Sequence, residues 1–333
     1  MIIKSINLTN FRNHTHYQLD FNHDTTLILG ENGCGKTSVL EAIYIALRGK
    51  SFRGVDQDII KTKADYYRIE LITENGQSNI ITYDNKTKTF LYLGKKTKRI
   101  PKNQKYPVVL FLPSDLNLIS GSPSRRRDYF NRFFSIISEE YSQNLSRYDK
   151  ALRQRNEILK SNNPSPSELF SWNLLLAKYG TFLSAFRRTL TSQINQKYNQ
   201  TYSSISNTKD TVELLYQTKA NNFTETQYLK ALETDYQKDI YLGHTSFGVH
   251  RDDFIFIFNH KPADTSASRG ESRSLILALK FIEAALIYQT LNQQPLVLLD
   301  DVFSELDQNH RKCLIENFKN HQVIITSVED LNR

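Results

Sequence analysis

The chain has 333 residues, with 43 Lys and Arg against 35 Asp and Glu, a formal charge of +8 and an isoelectric point near 9.2. That length accommodates two domains with a sizeable core, while two cysteines, Cys34 and Cys313, are too few for a disulfide framework or a zinc site. The basic balance favours an acidic partner, nucleic acid first and an anionic membrane second, although an ordinary basic surface gives the same count. No apolar run reads as approaching the roughly 18 residues of a membrane span. Met1-Ile2-Ile3-Lys4-Ser5-Ile6 alternates like a strand and lacks the apolar stretch of a signal peptide, so no membrane and a cytoplasmic location are expected.

Residues 1–9 and 15–21 read as a strand hairpin with Asn10-Phe11-Arg12-Asn13-His14 at its tip. Thr25-Thr26-Leu27-Ile28-Leu29 is apolar and β-prone, and Ser38 to Leu47 is helix-like with Val39, Leu40, Ile43 and Leu47 on one face. Between them Gly30, Glu31, Asn32, Gly33, Cys34, Gly35, Lys36, Thr37 and Ser38 fit G-x-x-x-x-G-K-[ST] in the strand–loop–helix context that the motif requires. Glycines let backbone N–H groups close around phosphate oxygens, and the helix N-terminus adds partial positive charge. Lys36 is expected to reach the β- and γ-phosphates of ATP, and the Thr37 hydroxyl to bind Mg²⁺. Cys34, at the mouth of this helix, is expected to favour its thiolate.

Residues 66–73, 77–84 and 87–93 read as short strands broken by Asn75-Gly76 and Asp84-Asn85, and Tyr106 to Leu112 as a buried strand. Lys95, Lys96, Lys98 and Arg99 form a basic run that suits either a DNA-backbone contact or a solvated loop. The composition shifts near residue 114. Residues 122–160 and 168–204 are helix-like and aromatic-rich, with Pro164-Ser165-Pro166-Ser167 as the turn between two long helices. Arg125, Arg126 and Arg127 start a helix behind Ser124 as N-cap, where the helix dipole disfavours cations. An anion offsets that repulsion (DNA phosphate, a partner's carboxylates or the nucleotide), or the arginines are solvated and partly balanced by Asp128. The expected division is 1–114, a mainly helical insertion at 115–240, and 241–333.

Phe254-Ile255-Phe256-Ile257-Phe258 returns to strand, 270–292 is a helix, and 295–299 and 322–326 are strands. His250, Asp252 and Asp253 are too few and too divergent for a metal cage, so Arg251 and Asp252 are expected to order a loop near a dimer interface. Pro295-Leu296-Val297-Leu298-Leu299-Asp300-Asp301 is a strand apolar throughout, as in a sheet covered on both faces, and ends in two carboxylates. Asp300 is the expected Mg²⁺ ligand and Asp301 the residue that orients or deprotonates the attacking water. Ala267 to Arg273 opens the preceding helix, with Ser268, Arg269, Gly270 and Glu271 resembling the signature of ABC-type ATPases. That signature binds the γ-phosphate held by a partner subunit, although a plain Ser/Gly helix cap would look similar. Ser304 and Asp307 lie in a segment like the D-loop of that class. Lys36 and Asp300 are 264 positions apart, a separation that looks like the SMC and Rad50 branch rather than a transporter subunit.

With these residues in hand, the chain resembles the RecF family over nearly its whole length. Leu8-Thr9-Asn10-Phe11-Arg12-Asn13, Gly30 to Ile43, Lys50-Ser51-Phe52-Arg53, Phe111 to Leu116, Gly121 to Arg127, Gly248 to Asp253 and Leu298 to Asp307 carry the likeness. The resemblance implies an α/β fold, an ABC-type (Rad50/SMC-like) P-loop ATPase head with an inserted mainly helical subdomain. It implies weak DNA-dependent ATPase activity in a bacterial protein of recombinational gap repair and replication-fork maintenance. It also implies an ATP-dependent homodimer that binds single-stranded, gapped and duplex DNA, with RecR and RecO as partners in loading RecA. Arg12 is similar to the arginine that touches nucleotide phosphates in related heads, a surface position at the hairpin tip being the other possibility. Departures are Cys34 for a polar residue, Ser38 for asparagine, Arg269 and Glu271 in the signature, and a C-terminus that looks short at Arg333. Thr326-Ser327 stands where many ABC-type ATPases place a switch histidine, so slow hydrolysis is expected. Another SMC- or Rad50-like repair head is the first alternative, and a transporter ATPase subunit the second.

Overall fold

The computed structural model describes residues 1–92, 94–101, 104–161 and 164–328. Leu93, the end of one predicted strand, and the chain end at Arg333 lie outside them. In chain order the first elements are β1 (Ile3–Phe11), β2 (His14–Asp20), β3 (Thr25–Leu29), α1 (Lys36–Arg48), β4 (Tyr67–Thr73), β5 (Ser78–Tyr83), β6 (Lys88–Tyr92), β7 (Lys95–Thr97) and β8 (Val108–Phe111). There follow α2 (Pro123–Ile137), α3 (Glu139–Leu159), α4 (Pro166–Ser206), β9 (Val212–Gln217), α5 (Glu225–Thr234), α6 (Tyr236–Leu242), β10 (Asp253–Phe258), β11 (Lys261–Pro262), α7 (Ala263–Ser266) and α8 (Arg269–Leu291). The last are β12 (Leu296–Asp300), α9 (Gln308–Phe318) and β13 (Val323–Ser327). The described chain divides into two compact units, Met1–Asp115 with Glu283–Arg333, and Leu116–Ile282.

The first unit contains two sheets. One is antiparallel, in the order β2-β1-β4-β5-β6-β7; the other is parallel, in the order β3-β13-β12-β8. α1 packs against β1, β4 and β5 of the first sheet and against β8, β12 and β13 of the second. Wedged between two sheets, it has no solvent face, and Tyr44, Ile45 and Ala46 are as buried as the predicted apolar stripe. Gly49 ends α1 at φ +83°, its N–H donating to the Ile45 carbonyl at 2.8 Å. β12, an interior strand between β13 and β8 with α1 packed on it, is buried at all five positions. Lys95 and Lys96 prove to be residues of β7, the edge strand of the antiparallel sheet, where lysines also discourage pairing with other chains.

The second unit begins with a correction to its first helix. Ser122, not Ser124, is the N-cap of α2: its hydroxyl accepts from the Arg125 N–H at 3.4 Å, and Pro123 takes the first helical position. The predicted single helix over 122–160 is two, because Ser138 leaves the helical region and caps α3. β9 was not visible in the sequence; it pairs antiparallel with β10, which pairs with β11. The free edge of β9 is closed by α4: the Asn195 amide donates to and accepts from Leu214, and Asn199 accepts from the Val212 N–H. Because α4 and this sheet pack together, the unit runs on to Ile282, past the boundary at residue 240 that the composition suggested.

A buried polar hub holds this unit. Arg155, fully buried, donates to Asp239, Thr245 and Asn173, each at 2.7 Å. Arg187 donates to the Val249 carbonyl, the Tyr141 hydroxyl and Asp252, while Tyr216 donates to the same carboxylate. His250 donates Nε2–H to the Thr245 carbonyl at 3.0 Å and accepts the Tyr148 hydroxyl at Nδ1, 2.8 Å away. Burial holds that imidazole neutral down to about 4. Gly248 sits at φ +131°, with the Tyr148 and Tyr228 hydroxyls 2.4 and 2.5 Å from where a Cβ would stand. Residues 248–253 are therefore the packing centre of this unit. No group of three or more His, Cys, Asp or Glu among the described residues is placed to hold a metal.

α8 is the described helix that comes nearest to a membrane span, although Lys280 and Glu283 interrupt its apolar run. Its 23 residues include an 18-residue window of mean hydropathy 1.5, which passes the length and composition test for a span. Seventy-two per cent of that window is buried inside the protein, as a core helix requires.

Candidate nucleotide site

The loop between β3 and α1 encloses a cleft of about 290 Å³, lined by Arg12, Asn13, Asn32, Gly33, Gly35, Lys36, Thr37, Ser38, Arg53 and Asp301. A larger groove of about 740 Å³, lined by Asn75, Gln77, Asn292, Gln293, Gln294 and Asn320 among others, opens beside Leu296 and Gln322, where β12 and β13 begin. Ligands of α/β sheets bind at the C-terminal ends of the strands, so the smaller cleft is the one placed for chemistry.

The phosphate loop is shaped by its neighbours. Gly35 caps α1 at φ +102°, and a Cβ there would lie 2.4 Å from His14 Nε2. His14 Nε2–H donates to the Gly35 carbonyl at 3.2 Å, and Asn13 Nδ2 donates to the Gly33 carbonyl at 3.3 Å. The hairpin tip thus braces the loop from outside. Lys36, only 8% exposed, donates to the Gly30 and Glu31 carbonyls at 2.5 and 3.1 Å. Cys34 is exposed, with Sγ 2.6 Å from where a Cβ on Gly30 would stand. N-ethylmaleimide is expected to modify Cys34 ahead of Cys313, whose thiol burial pushes above its ordinary value. The adduct should abolish nucleotide binding, and ATP should slow its formation about tenfold. Peptide mapping and fluorescent-nucleotide titration check this; unchanged affinity after modification would place the side chain away from the ligand.

β12 carries the second half of the site. Thr37 donates to Asp300 Oδ1 at 2.8 Å, and Thr326 of β13 to the same oxygen at 3.0 Å. Burial pushes the Asp300 carboxyl above its ordinary range, partly offset by these two hydroxyls and the charge of Arg53. The Asp301 N–H donates to the Thr326 hydroxyl at 2.9 Å, and the residue is left-handed at φ +51°. Asp301 Oδ1 is buried and has no hydrogen-bond partner among the described residues.

A nucleotide with Mg²⁺ fits these residues. Thr37 and Asp300 place two hard oxygen donors side by side, and a phosphate chain would supply the opposite ligands. Asp301, whose buried Oδ1 has no partner among the described residues, is one of the residues lining the same cleft. Arg53, on the turn after α1, is a cleft residue that motif reading did not assign. Ser304 donates to the Asp301 carbonyl at 2.7 Å, and Asp307 caps α9 by accepting from the His310 N–H at 3.0 Å. Ser268 and Glu271 form a capping box at the start of α8, in the other unit. Arg269 and Gly270 stand exposed beside it.

The DNA candidates separate by burial. Lys95, Lys96, Lys98 and Arg99 are exposed. Arg126 is not available to DNA: it is 9% exposed, pairs bidentately with Asp253 at 2.7 Å and donates to the Gly121 carbonyl. Arg127 is half-buried and donates to the Asp252 carbonyl at 2.8 Å. Of the three, Arg125 alone is exposed.

The model of the RecF/RecN/SMC N terminal domain matches residues 2–331. The DNA replication and repair protein RecF of Acholeplasma laidlawii is 35% identical, with 99% of this chain and 95% of that protein covered. RecF of Ruminiclostridium cellulolyticum is 34% identical, covering 98% and 92%. The solved structure of the recombination mediator protein RecF-ATP in the RecFOR pathway matches at TM-score 0.90 and 28% identity, over 100% of this chain and 93% of that one. A phosphate loop joined by hydroxyl to the carboxylate of an apolar parallel strand, in a chain matched from end to end, has one consistent assignment: this chain belongs to the RecF family.

Proposed function

We propose that the protein is an ATP-dependent DNA-binding ATPase of DNA replication and repair, in which nucleotide acts as a clamp switch. The observation that carries this is the Thr37–Asp300 contact, which joins the phosphate loop to the acidic end of β12 within one unit. Lys36, Thr37, Asp300 and Asp301 form the cis half. Ser268, Arg269 and Gly270, exposed at the N-terminus of a 23-residue helix, complete it from a second copy in an ATP-dependent homodimer. ATP binding closes the dimer on single-stranded, gapped or duplex DNA, and slow hydrolysis opens it. The solved RecF-ATP relative supports the nucleotide, and its RecFOR setting is the support for proposing RecR and RecO as partners, with RecA loading as the proposed outcome. The same reading makes the protein cytoplasmic, with an ATPase head that begins in 1–114 and resumes after an inserted unit extending to Ile282.

Fluorescence anisotropy on a gapped duplex, with ATP, with ADP and with neither, tests the switch. Binding strongly enhanced by ATP is expected; equal binding in all three states would leave a DNA-binding protein whose nucleotide site does something else. Replacing Lys95, Lys96, Lys98 and Arg99 with Glu should weaken that binding and reduce its salt slope by about one unit for each lost phosphate contact. An unchanged slope would return the run to an edge-protecting role.

A further inference from the structure

One buried carboxylate governs two arginines on the wall of the nucleotide cleft. Glu41 lies on α1 with a side chain of 0% exposure. Nothing in the phosphate-loop motif calls for an acid there, and a carboxylate enclosed in an otherwise apolar helix is costly unless fully paired. It is paired: Arg12 Nε donates to Oε2 at 2.9 Å, Arg12 Nη2 to Oε1 at 2.7 Å, and the Ser51 hydroxyl to Oε1 at 2.5 Å.

Arg12 lines the cleft itself, and Ser51 supports the turn that carries the cleft residue Arg53. Arg12 Nη1 donates to the Asp58 carbonyl at 2.8 Å and its backbone N–H to the Ile59 carbonyl at 2.7 Å. The residue is left-handed at φ +54°, a conformation that a non-glycine residue keeps only when its surroundings over-determine it. Ser51 Oγ accepts from the N–H groups of Arg53 and Gly54 at 2.8 and 3.1 Å, so the turn bearing Arg53 is built on the hydroxyl that Glu41 holds. The far end of that segment is tied down separately, by Lys88 and Tyr67 on Asp56. Arg12 and Arg53 both line the cleft with Lys36 and Asp301. Arg53 is close enough to Asp300 for its charge to favour the ionised carboxylate.

We propose that Glu41 is a positioning residue that sets Arg12 and, through Ser51, Arg53 against the terminal phosphate of a bound nucleoside triphosphate. It thereby gives the site its preference for triphosphate over diphosphate. This rests on the cleft being the ATP site. A bidentate Arg–carboxylate pair fixes the plane of the guanidinium, which a lone arginine at a hairpin tip would not keep. Two pre-set cations at the γ-phosphate end add attraction only for the ligand that carries the extra charge.

The test is titration of ATP and ADP into the full chain and its Glu41→Gln, Glu41→Asp, Arg12→Ala and Arg12→Ala/Glu41→Gln variants, with a thermal melt on each. Glu41→Gln and Arg12→Ala should each weaken ATP about tenfold and ADP less than twofold. The double variant should be weaker than Arg12→Ala by no more than the loss that Ser51→Ala causes alone, and Glu41→Asp should regain part of the loss. Additive losses of about a hundredfold in the double variant, an equal loss for ATP and ADP, or no loss at all would overturn the proposal. A wild-type chain that binds neither nucleotide would instead overturn the ATP-site reading beneath it. Should Glu41→Gln melt early, Ser51→Ala provides the same comparison from the surface side, with ATP weakened and ADP spared.

Discussion

Asp301→Asn is expected to lower ATP turnover by about two to three orders of magnitude while leaving ATP affinity within about threefold. Asp301 lines the cleft, and its buried Oδ1 has no donor among the described residues, the condition of a group kept for water or ligand. Its backbone is left-handed, which asparagine tolerates about as well as aspartate, so the substitution removes basicity without moving the strand end. Asp300→Asn should behave differently. That carboxylate shares one oxygen between Thr37 and Thr326, so its loss should weaken Mg²⁺-dependent ATP binding itself. Single-turnover hydrolysis beside a nucleotide titration separates the two. Equal turnover in Asp301→Asn and wild type would assign the water to another group.

The largest stability effect is expected at Arg155. Arg155→Met should cost about 3–5 kcal/mol, because Asp239, also with no exposed side-chain surface, is left as a buried unpaired charge. Its guanidinium joins α3 to Asn173 of α4, the Leu232 carbonyl of α5, Asp239 of α6 and Thr245, so four segments lose their common partner at once. A melt of the second unit should fall by roughly 10 °C on that loss. The double variant Arg155→Met/Asp239→Leu should recover a good part of it, since two apolar groups of similar volume leave no charge stranded. A single variant that melts with the wild type would show the pair to be hydrated.

Local chemistry was legible where the backbone alone does the work. The hairpin, the phosphate loop and the apolar strand into Asp300 follow from short-range pattern, and each lies where its residues place it. What escaped depends on partners distant in sequence. Arg126, Arg155 and Arg187 look like surface cations, yet their carboxylates arrive from Asp253, Asp239 and Asp252, far along the chain. β9 is short, with Leu215 exposed on one side, and its pairing with β10 is visible only once α4 has covered its edge. Ser138 interrupts a helical pattern through one residue's dihedrals, which periodicity cannot see. Arg53 reaches the cleft through a turn, where no period exists to read.

The parallel sheet has a consequence for how the chain is made. β3 pairs with β13 from Thr25↔Val323 onward, and the remaining strands, β8 and β12, are joined through that same layer. A ribosome releases β3 and α1 almost three hundred residues before their partner exists. The antiparallel sheet and the second unit are built from contacts within their own stretches and can form as they emerge, whereas the nucleotide site cannot close until the last strand is out. Until then the apolar flank of α1 has only half its cover, so nascent chains stalled before residue 323 should be prime clients for chaperones and proteases, and ATP should rescue only the completed ones.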